Sequence, residues 1–330
     1  MHDRNKQMHL DIPVLLIRFR VQSGITGCRV ESLTADGVKI MTESSPQLKI
    51  PTSDPDFFIL EEDGTNLDRF EKMSARHPVN ILITGNQGCG KSSLVRQFSA
   101  LYNRPMATFQ IGLLLESGQL FGQTRLKDGE TYYREYLFPK AIQTPHCVIH
   151  LEEINRTESP HALNELFSVL SEDRSIWIDE LGYVEVAPGV IFFATMNEGD
   201  EFTGTDTLDA ALKDRFYRIH LEYLPEEVEQ EVLIRKTGIS EEQALKVLRL
   251  VNRIRNNEEM GISVSVRHSL MIAELVSLGA SLREAIIYSL QISKDSLESL
   301  LLSIHVETGE TKTERGRYVL YRPQSISENQ

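Results

Sequence analysis

Residues 79–93 read VNILITGNQGCGKSS. Val79, Ile81, Leu82 and Ile83 make an apolar run of strand length, and a helical segment opens at Ser93-Leu94-Val95. Between them Gly85, four residues, Gly90, Lys91 and Ser92 match the phosphate-binding loop that joins a strand to a helix. Each residue type has a reason to be there. Gly85, Gly88 and Gly90 lack a Cβ, so the backbone can take positive φ and turn its N–H groups toward phosphate oxygens. The N-terminus of the following helix adds a positive dipole end. Lys91 can reach the β- and γ-phosphates, and the Ser92 hydroxyl can ligate Mg2+. Asn86, Gln87, Cys89 and Ser93 complete the set that would cradle the phosphates. A glycine turn with a merely solvated lysine is the bland alternative, and the strand before and helix after argue against it. The stretch implies a bound nucleoside triphosphate.

A chain of 330 residues suits two or three compact units. Its 41% hydrophobic and 25% charged content are those of an ordinary globular protein. Lys plus Arg is 35 against 48 Asp plus Glu, a net charge of −13, which argues against an extended nucleic-acid backbone as the main partner. Cys28, Cys89 and Cys147 show no C-x-x-C spacing, as expected in a reducing compartment rather than for a disulfide framework or a zinc site. Cys89 reads as a small structural residue within the loop. No run of 18 apolar residues exists and residues 1–30 lack a signal-peptide layout, so a cytoplasmic protein with no membrane partner is expected.

Residues 1–50 carry short β-like runs at Val14 to Phe19, Arg29-Val30 and Val38 to Met41, with a hairpin signal at Ala35-Asp36-Gly37. They read as a small β-rich appendage that either docks a partner or packs on the main body. Pro51 to Pro55 reads as a linker, and Phe57 to Leu60 as an apolar strip for an adenine ring or for the core. From Val79 strand and helix alternate, the pattern of an α/β fold with a parallel sheet covered on both faces. Later strands are expected at Met106 to Ile111, Cys147 to Leu151, Val190 to Thr195 and Phe216 to Leu221. Ser159-Pro160 signals a helix start, with a stripe at Leu163, Leu166, Phe167 and Leu170. Trp177 to Val186 reads as a hairpin turning at Leu181-Gly182. Residues 51–225 thus form a nucleotide-binding unit. Past Pro225 the texture is helical: Ser240 with Gln243 and Ser281 with Glu284 fit capping boxes, and Leu245, Leu248, Val251 and Ile254 stripe the first of these helices. Residues 226–305 read as a helical lid, and 306–330 as a polar tail with one strand at Tyr318 to Tyr321.

Five further residues suit the chemistry of a triphosphate. Glu152-Glu153 ends a buried strand, where one carboxylate would serve the Mg2+ shell and the next would orient or deprotonate water. The Asn197 amide, at the end of the following strand, could hold that water or the γ-phosphate. Arg215, just before the last strand, would lie at a subunit edge and reach a neighbour's nucleotide. Arg267 opens a lid helix and could report the γ-phosphate to the lid.

With these residues in place the chain resembles the dynein-related, MoxR-like branch of the AAA+ ATPases, which includes the cobaltochelatase ATPase subunit CobS and the activators CbbQ, NorQ and GvpN. The motifs are GNQGCGKSS, HLEEINR, FFATMNE, GTDTLDAALKDRF and SVRHSL. The resemblance implies an αβα sandwich with a five-stranded parallel sheet of order 5-1-4-3-2 and a C-terminal helical lid. It makes Lys91 and Ser92 the Walker A residues, Glu152 and Glu153 Walker B, Asn197 sensor 1, Arg215 the arginine finger and Arg267 sensor 2. It implies ATP and Mg2+, a ring homo-oligomer (a hexamer), and a partner with a von Willebrand factor A domain. The work would be remodelling or activation of a client protein complex. It also implies that the Trp177 to Val186 hairpin is the pre-sensor insertion. Tyr132-Tyr133, after a loop at Gly122 to Thr131, would face a central pore or pack as an aromatic pair. The branch ordinarily has Asp-Glu at Walker B. Here Glu152 is one methylene longer, which bears on Mg2+ geometry and turnover. Other readings stay open at this point: a nucleic-acid motor of the restriction-translocase kind, or an ATP-binding scaffold that barely hydrolyses.

Overall fold

A computed structural model describes residues 30–33, 39–42, 48–114, 119–127, 129–156, 163–197, 208–255, 263–292 and 317–321. The strand expected at Val14 to Phe19, the turn at Ala35-Asp36-Gly37, the helix start at Ser159-Pro160, Gly204-Thr205-Asp206, Cys28 and most of the tail lie outside them.

In chain order, β1 (Val30–Leu33) and β2 (Lys39–Thr42) pair antiparallel, and β3 (Phe58–Leu60) runs straight into α1 (Glu61–Ser74). The run at Val79 becomes β4 (Val79–Gly85), buried throughout, followed by the glycine loop, α2 (Lys91–Leu101) and β5 (Met106–Gln110). A hairpin of β6 (Gly122–Lys127) and β7 (Glu130–Glu135) comes next, then α3 (Leu137–Ile142) and β8 (Val148–Glu152). After α4 (Asn164–Val169), the expected hairpin forms from β9 (Ser175–Ile178) and β10 (Gly182–Glu185). Then follow β11 (Ile191–Thr195), α5 (Ala210–Lys213) and β12 (Tyr217–Leu221). Helices α6 (Glu226–Thr237), α7 (Glu241–Arg255), α8 (Val266–Ser277) and α9 (Leu282–Leu290) form the lid, and β13 (Tyr318–Leu320) returns to pair antiparallel with β3.

The main sheet runs β12-β4-β11-β8-β5, parallel at every pairing, which in the order of the five expected strands is 5-1-4-3-2. Successive residues face opposite layers, as pleating requires. Ile81, Ile83, Ile191, Phe193 and Val148 pack with Leu94 and Phe98 of α2 on one side. Leu82, Phe192, Ala194, Ile149 and Leu151 pack with Phe138 and Leu166 on the other. A doubly covered strand therefore reads as a continuous apolar run rather than an alternating one. The lid has its own core, around Leu233, Leu248, Val251 and Ile272. The capping box expected at Ser281 forms, with Glu284 N donating to Ser281 Oγ (3.3 Å) and Ser281 N donating to Glu284 Oε2 (3.0 Å). At Ser240 only the forward half is made, Gln243 N donating to Ser240 Oγ (3.3 Å), and the Ser240 hydroxyl donates to Gln243 Oε1 (3.0 Å).

Three details differ from the sequence reading. The segment after Gly122 is a strand rather than a loop, and β7 pairs in parallel with β2, so the pieces of the N-terminal segment join it in one sheet, β1-β2-β7-β6. Tyr133 is buried there, filling the space over Gly122, while Tyr132 is half-buried, which favours the packed reading for Tyr133. On α7 the buried stripe includes Ala244 and Val247 with Leu248, Val251 and Ile254, and Leu245 sits at its margin. Among the described residues no helix is long and apolar enough to cross a membrane.

Candidate functional site

The carboxyl end of a parallel sheet at its switch in strand order is where such folds bind ligands. Here β4 delivers the glycine loop to that edge, and β8 and β11 deliver Glu152-Glu153 and Met196-Asn197 beside it. The loop conformation is specific to glycine at two points. Gly85 sits at φ 140°, with Leu221 O only 2.1 Å from where a Cβ would stand. Gly88, at φ 73°, lies against Ser265, whose Cβ would be 2.4 Å from an added methyl. The second contact brings the N-cap of the lid helix α8 directly onto the loop.

Together these elements enclose a cavity of about 480 Å3, within the range of ligand pockets. Lys91, Ser92, Glu152, Glu153, Asn197 and Arg267 all line it, so six of the residues singled out from sequence converge. Lys91 is buried and its ammonium donates to the carbonyls of Gly85 (2.8 Å) and Asn86 (2.7 Å). Ser92 Oγ donates to Glu152 Oε1 at 2.6 Å, and Gln110 Nε2 donates to the other oxygen, Oε2. Glu153 is held by Arg156, Nη1 to Oε2 at 3.1 Å. Its backbone lies at φ 56°, a left-handed conformation that costs a non-glycine residue on the order of 1 kcal/mol or more and recurs at functional sites. Asn155 Nδ2 donates to Asn197 O at 3.2 Å, locking the turn after β8 to the end of β11. Beneath them the buried His150 bridges Thr195 Oγ1 (3.3 Å) and Thr108 Oγ1 (3.5 Å), and burial holds its imidazole down to about 4, so it is neutral. The Cys89 thiol is pushed up by burial, as is Cys147 (to about 12), so neither is primed as a nucleophile.

Arg215 does not join the cavity. Its guanidinium lies 5.0 Å over the Phe167 ring and Nη1 donates to Ala211 O, and its backbone carbonyl accepts from Asn80 Nδ2 at 3.0 Å.

The far end of the cavity holds residues that the sequence reading passed over. Pro51 to Pro55 is not a free linker: Asp54 and Gln97 exchange backbone and amide bonds, Asp54 N to Oε1 at 2.7 Å and Nε2 to Asp54 O at 2.9 Å. Asp54 then pairs with Lys236 and Asp56 with Arg235 (3.3 Å), tying this strap to α6. Phe57 and Phe58 line the cavity while Ile59 is buried in the core, which bears out the core reading at Ile59. Acid at 54 and 56 opposite base at 235 and 236 was visible, but no spacing rule relates residues 182 apart.

Comparison with known proteins matches the profile "AAA domain (dynein-related subfamily)" at residues 80–216 and "CbbQ/NirQ/NorQ C-terminal" at residues 229–296. The chain is 57% identical over 276 residues to "Putative chaperone BssE" of Thauera aromatica, covering 83% of this chain and 96% of that protein. It is 28% identical over 227 residues to Protein NorQ of Paracoccus denitrificans, covering 68% of this chain and 82% of the relative. Among solved structures, the Thermotoga maritima RuvB Holliday junction branch migration motor aligns with TM-score 0.46 and 15% identity, over 79% of this chain and 87% of that one.

Proposed function

Because the chain belongs to the dynein-related, MoxR-like branch of the AAA+ ATPases, we propose that it binds ATP with Mg2+ and hydrolyses it as a ring oligomer to remodel or activate a client protein complex. The observation that carries this reading is the convergence of Lys91, Ser92, Glu152, Glu153, Asn197 and Arg267 on one cavity between sheet and lid. The donor set suits Mg2+. A hydroxyl and a carboxylate meet at 2.6 Å, both hard oxygens, and among the described residues no group of three His, Cys, Asp or Glu could hold a metal unaided. Mg2+ typically takes one or two protein oxygens and completes its shell from phosphates and water. When bound, it would neutralise charge on the phosphate oxygens.

The chain's own residues would then act as follows. Lys91 exchanges two carbonyl partners for phosphate oxygens. Glu153, released from Arg156, orients a water and accepts its proton. Asn197, fixed through Asn155, holds the same water, and Arg267 carries the state of the γ-phosphate into α8. Arg215 does not line its own cavity, which supports a role at a neighbour's nucleotide, where an arginine finger is worth about 10³–10⁵ in rate. The relative named as a chaperone supports client activation, and family membership supports a partner with a von Willebrand factor A domain.

The test is phosphate release with ATP and Mg2+ by the parent chain and by Glu153→Gln, with sedimentation in nucleotide. Turnover lost in the variant, together with a nucleotide-dependent ring, is the expected outcome. Equal turnover in both, or full-speed hydrolysis by a monomer, overturns the reading.

A further inference from the structure

Glu152 stands where this branch ordinarily carries aspartate, and the extra methylene has a structural answer. β5 and β8 are parallel neighbours, and their last residues, Gln110 and Glu152, are directly opposite. Gln110 Nε2 donates to Glu152 Oε2 while Ser92 Oγ donates to Oε1. Ionised, a carboxylate only accepts, so the amide turns its NH2 toward it. A glutamate has one more torsion than an aspartate, and at a half-buried position it would spread over several rotamers. Two donors, one on each oxygen, fix both the position and the plane of the carboxylate.

We propose that Gln110 is a positioning residue for Glu152: its cross-strand hydrogen bond holds the longer carboxylate against Ser92, and so sets how strongly Mg2+ contributes to nucleotide binding. Gln110 lines the same cavity and is exposed to solvent, so its contribution lies at the lower end for outer partners of metal ligands. Its side-chain hydrogen bond goes to Glu152 rather than to the glycine loop or Lys91. This inference rests on the nucleotide reading above. An aspartate at position 152 would be too short to meet Ser92 and Gln110 together, so the benefit of Gln110 belongs to the glutamate.

The experiment measures the dissociation constant of a fluorescent ATP analogue for the full chain in EDTA and in saturating Mg2+. The ratio of the two is the Mg2+ contribution. Gln110→Ala is expected to reduce that ratio on the order of 10-fold while leaving the EDTA value unchanged. In a Glu152→Asp background, adding Gln110→Ala is expected to change the ratio by less than about twofold, since coupled residues are non-additive. The proposal is overturned if the ratio is unchanged in Gln110→Ala, if the EDTA value moves by the same factor, or if the loss is equally large beside Asp at 152. A parent chain that binds no nucleotide in either condition instead overturns the ATP reading, and this inference with it.

Discussion

Glu229 on α6 is fully buried and meets Arg255 of α7 through two bonds, 2.7 Å to Oε2 and 2.9 Å to Oε1. The same guanidinium donates to Val264 O (2.7 Å) and Ser269 Oγ (3.2 Å) and lies 4.9 Å over the Tyr223 ring. One side chain therefore joins α6, α7 and the entry to α8, the helix that carries Arg267. Glu229→Ala removes the acid and strands a guanidinium whose side chain is only 11% exposed. Breaking a buried pair from one side costs about 3–5 kcal/mol. Arg255 keeps its remaining acceptors and a little solvent, so about 3 kcal/mol is expected here. Replacing both partners, Glu229→Leu with Arg255→Met, strands no charge, and the cost should fall to about 1–2 kcal/mol for the lost tie to Val264 and Ser269. Urea unfolding followed by circular dichroism, with linear extrapolation, measures both. The single variant should also bind nucleotide more weakly, since α8 loses its anchor. A loss below about 1 kcal/mol in Glu229→Ala would refute the reasoning, as would a double variant whose loss equals the sum of the two singles.

Glu153→Gln should lower ATP turnover by about 10²–10⁴-fold, the usual contribution of a positioned base, with nucleotide affinity retained in a binding titration. Arg215→Ala should lower turnover by about 10³-fold or more in the assembled ring without changing affinity, because the residue does not line its own cavity. Rings mixed from Arg215→Ala and Glu153→Gln protomers should regain activity only at seams that pair an intact Arg215 with an intact Glu153. Asp63 supplies a pH test. Its Oδ2 is buried without a partner, and burial first, then the charge of Glu62, raises it from 3.8 to about 6. A folded value above the unfolded one means the stabilising contribution is complete below 3.8 and is lost as pH rises through about 6. Asp63→Asn should therefore unfold at higher urea near pH 7.5, by about 1 kcal/mol after allowance for solvent screening, and match the parent near pH 4.

Much of the αβα unit was legible because its signals are local. VNILITG and VIFFAT are apolar without alternation, and such runs belong to strands covered on both faces. The Ser240–Gln243 and Ser281–Glu284 patterns marked helix starts for the same reason, four residues sufficing to state each. The capping at Ser265 escaped notice because His268 occupies the place of the usual Glu or Gln, its Nδ1 accepting from Ser265 N at 3.1 Å. Contacts between distant segments were illegible. Nothing in PTSDPDFF states that Asp54 will meet Gln97 on one side and Lys236 on the other. The partnership of Gln110 with Glu152 depends on strand register, which sequence order alone does not fix.

Those long-range contacts bear on how the lid is held. Lid and sheet unit touch at opposite ends of the cavity, through Gly88 against Ser265 and through the Asp54–Lys236 and Asp56–Arg235 pairs. The ion pairs are partly exposed, and each such pair is worth about 0–1 kcal/mol. The Gly88 contact depends on a missing methyl and provides closeness rather than attraction. A ligand bound at micromolar affinity brings about 8 kcal/mol, and one lying between Lys91 and Arg267 spends part of that across the seam. Any preference the protein alone has between lid angles is small against this. On the function proposed above, the angle would be set by the difference in contacts that the triphosphate and the diphosphate make with α8, because a ligand shifts a conformational equilibrium only by its differential affinity. On the same nucleotide reading, Arg267, which lines the cavity from α8, would sense that difference, so its loss should leave the resting fold intact while making the two nucleotides equivalent to the lid.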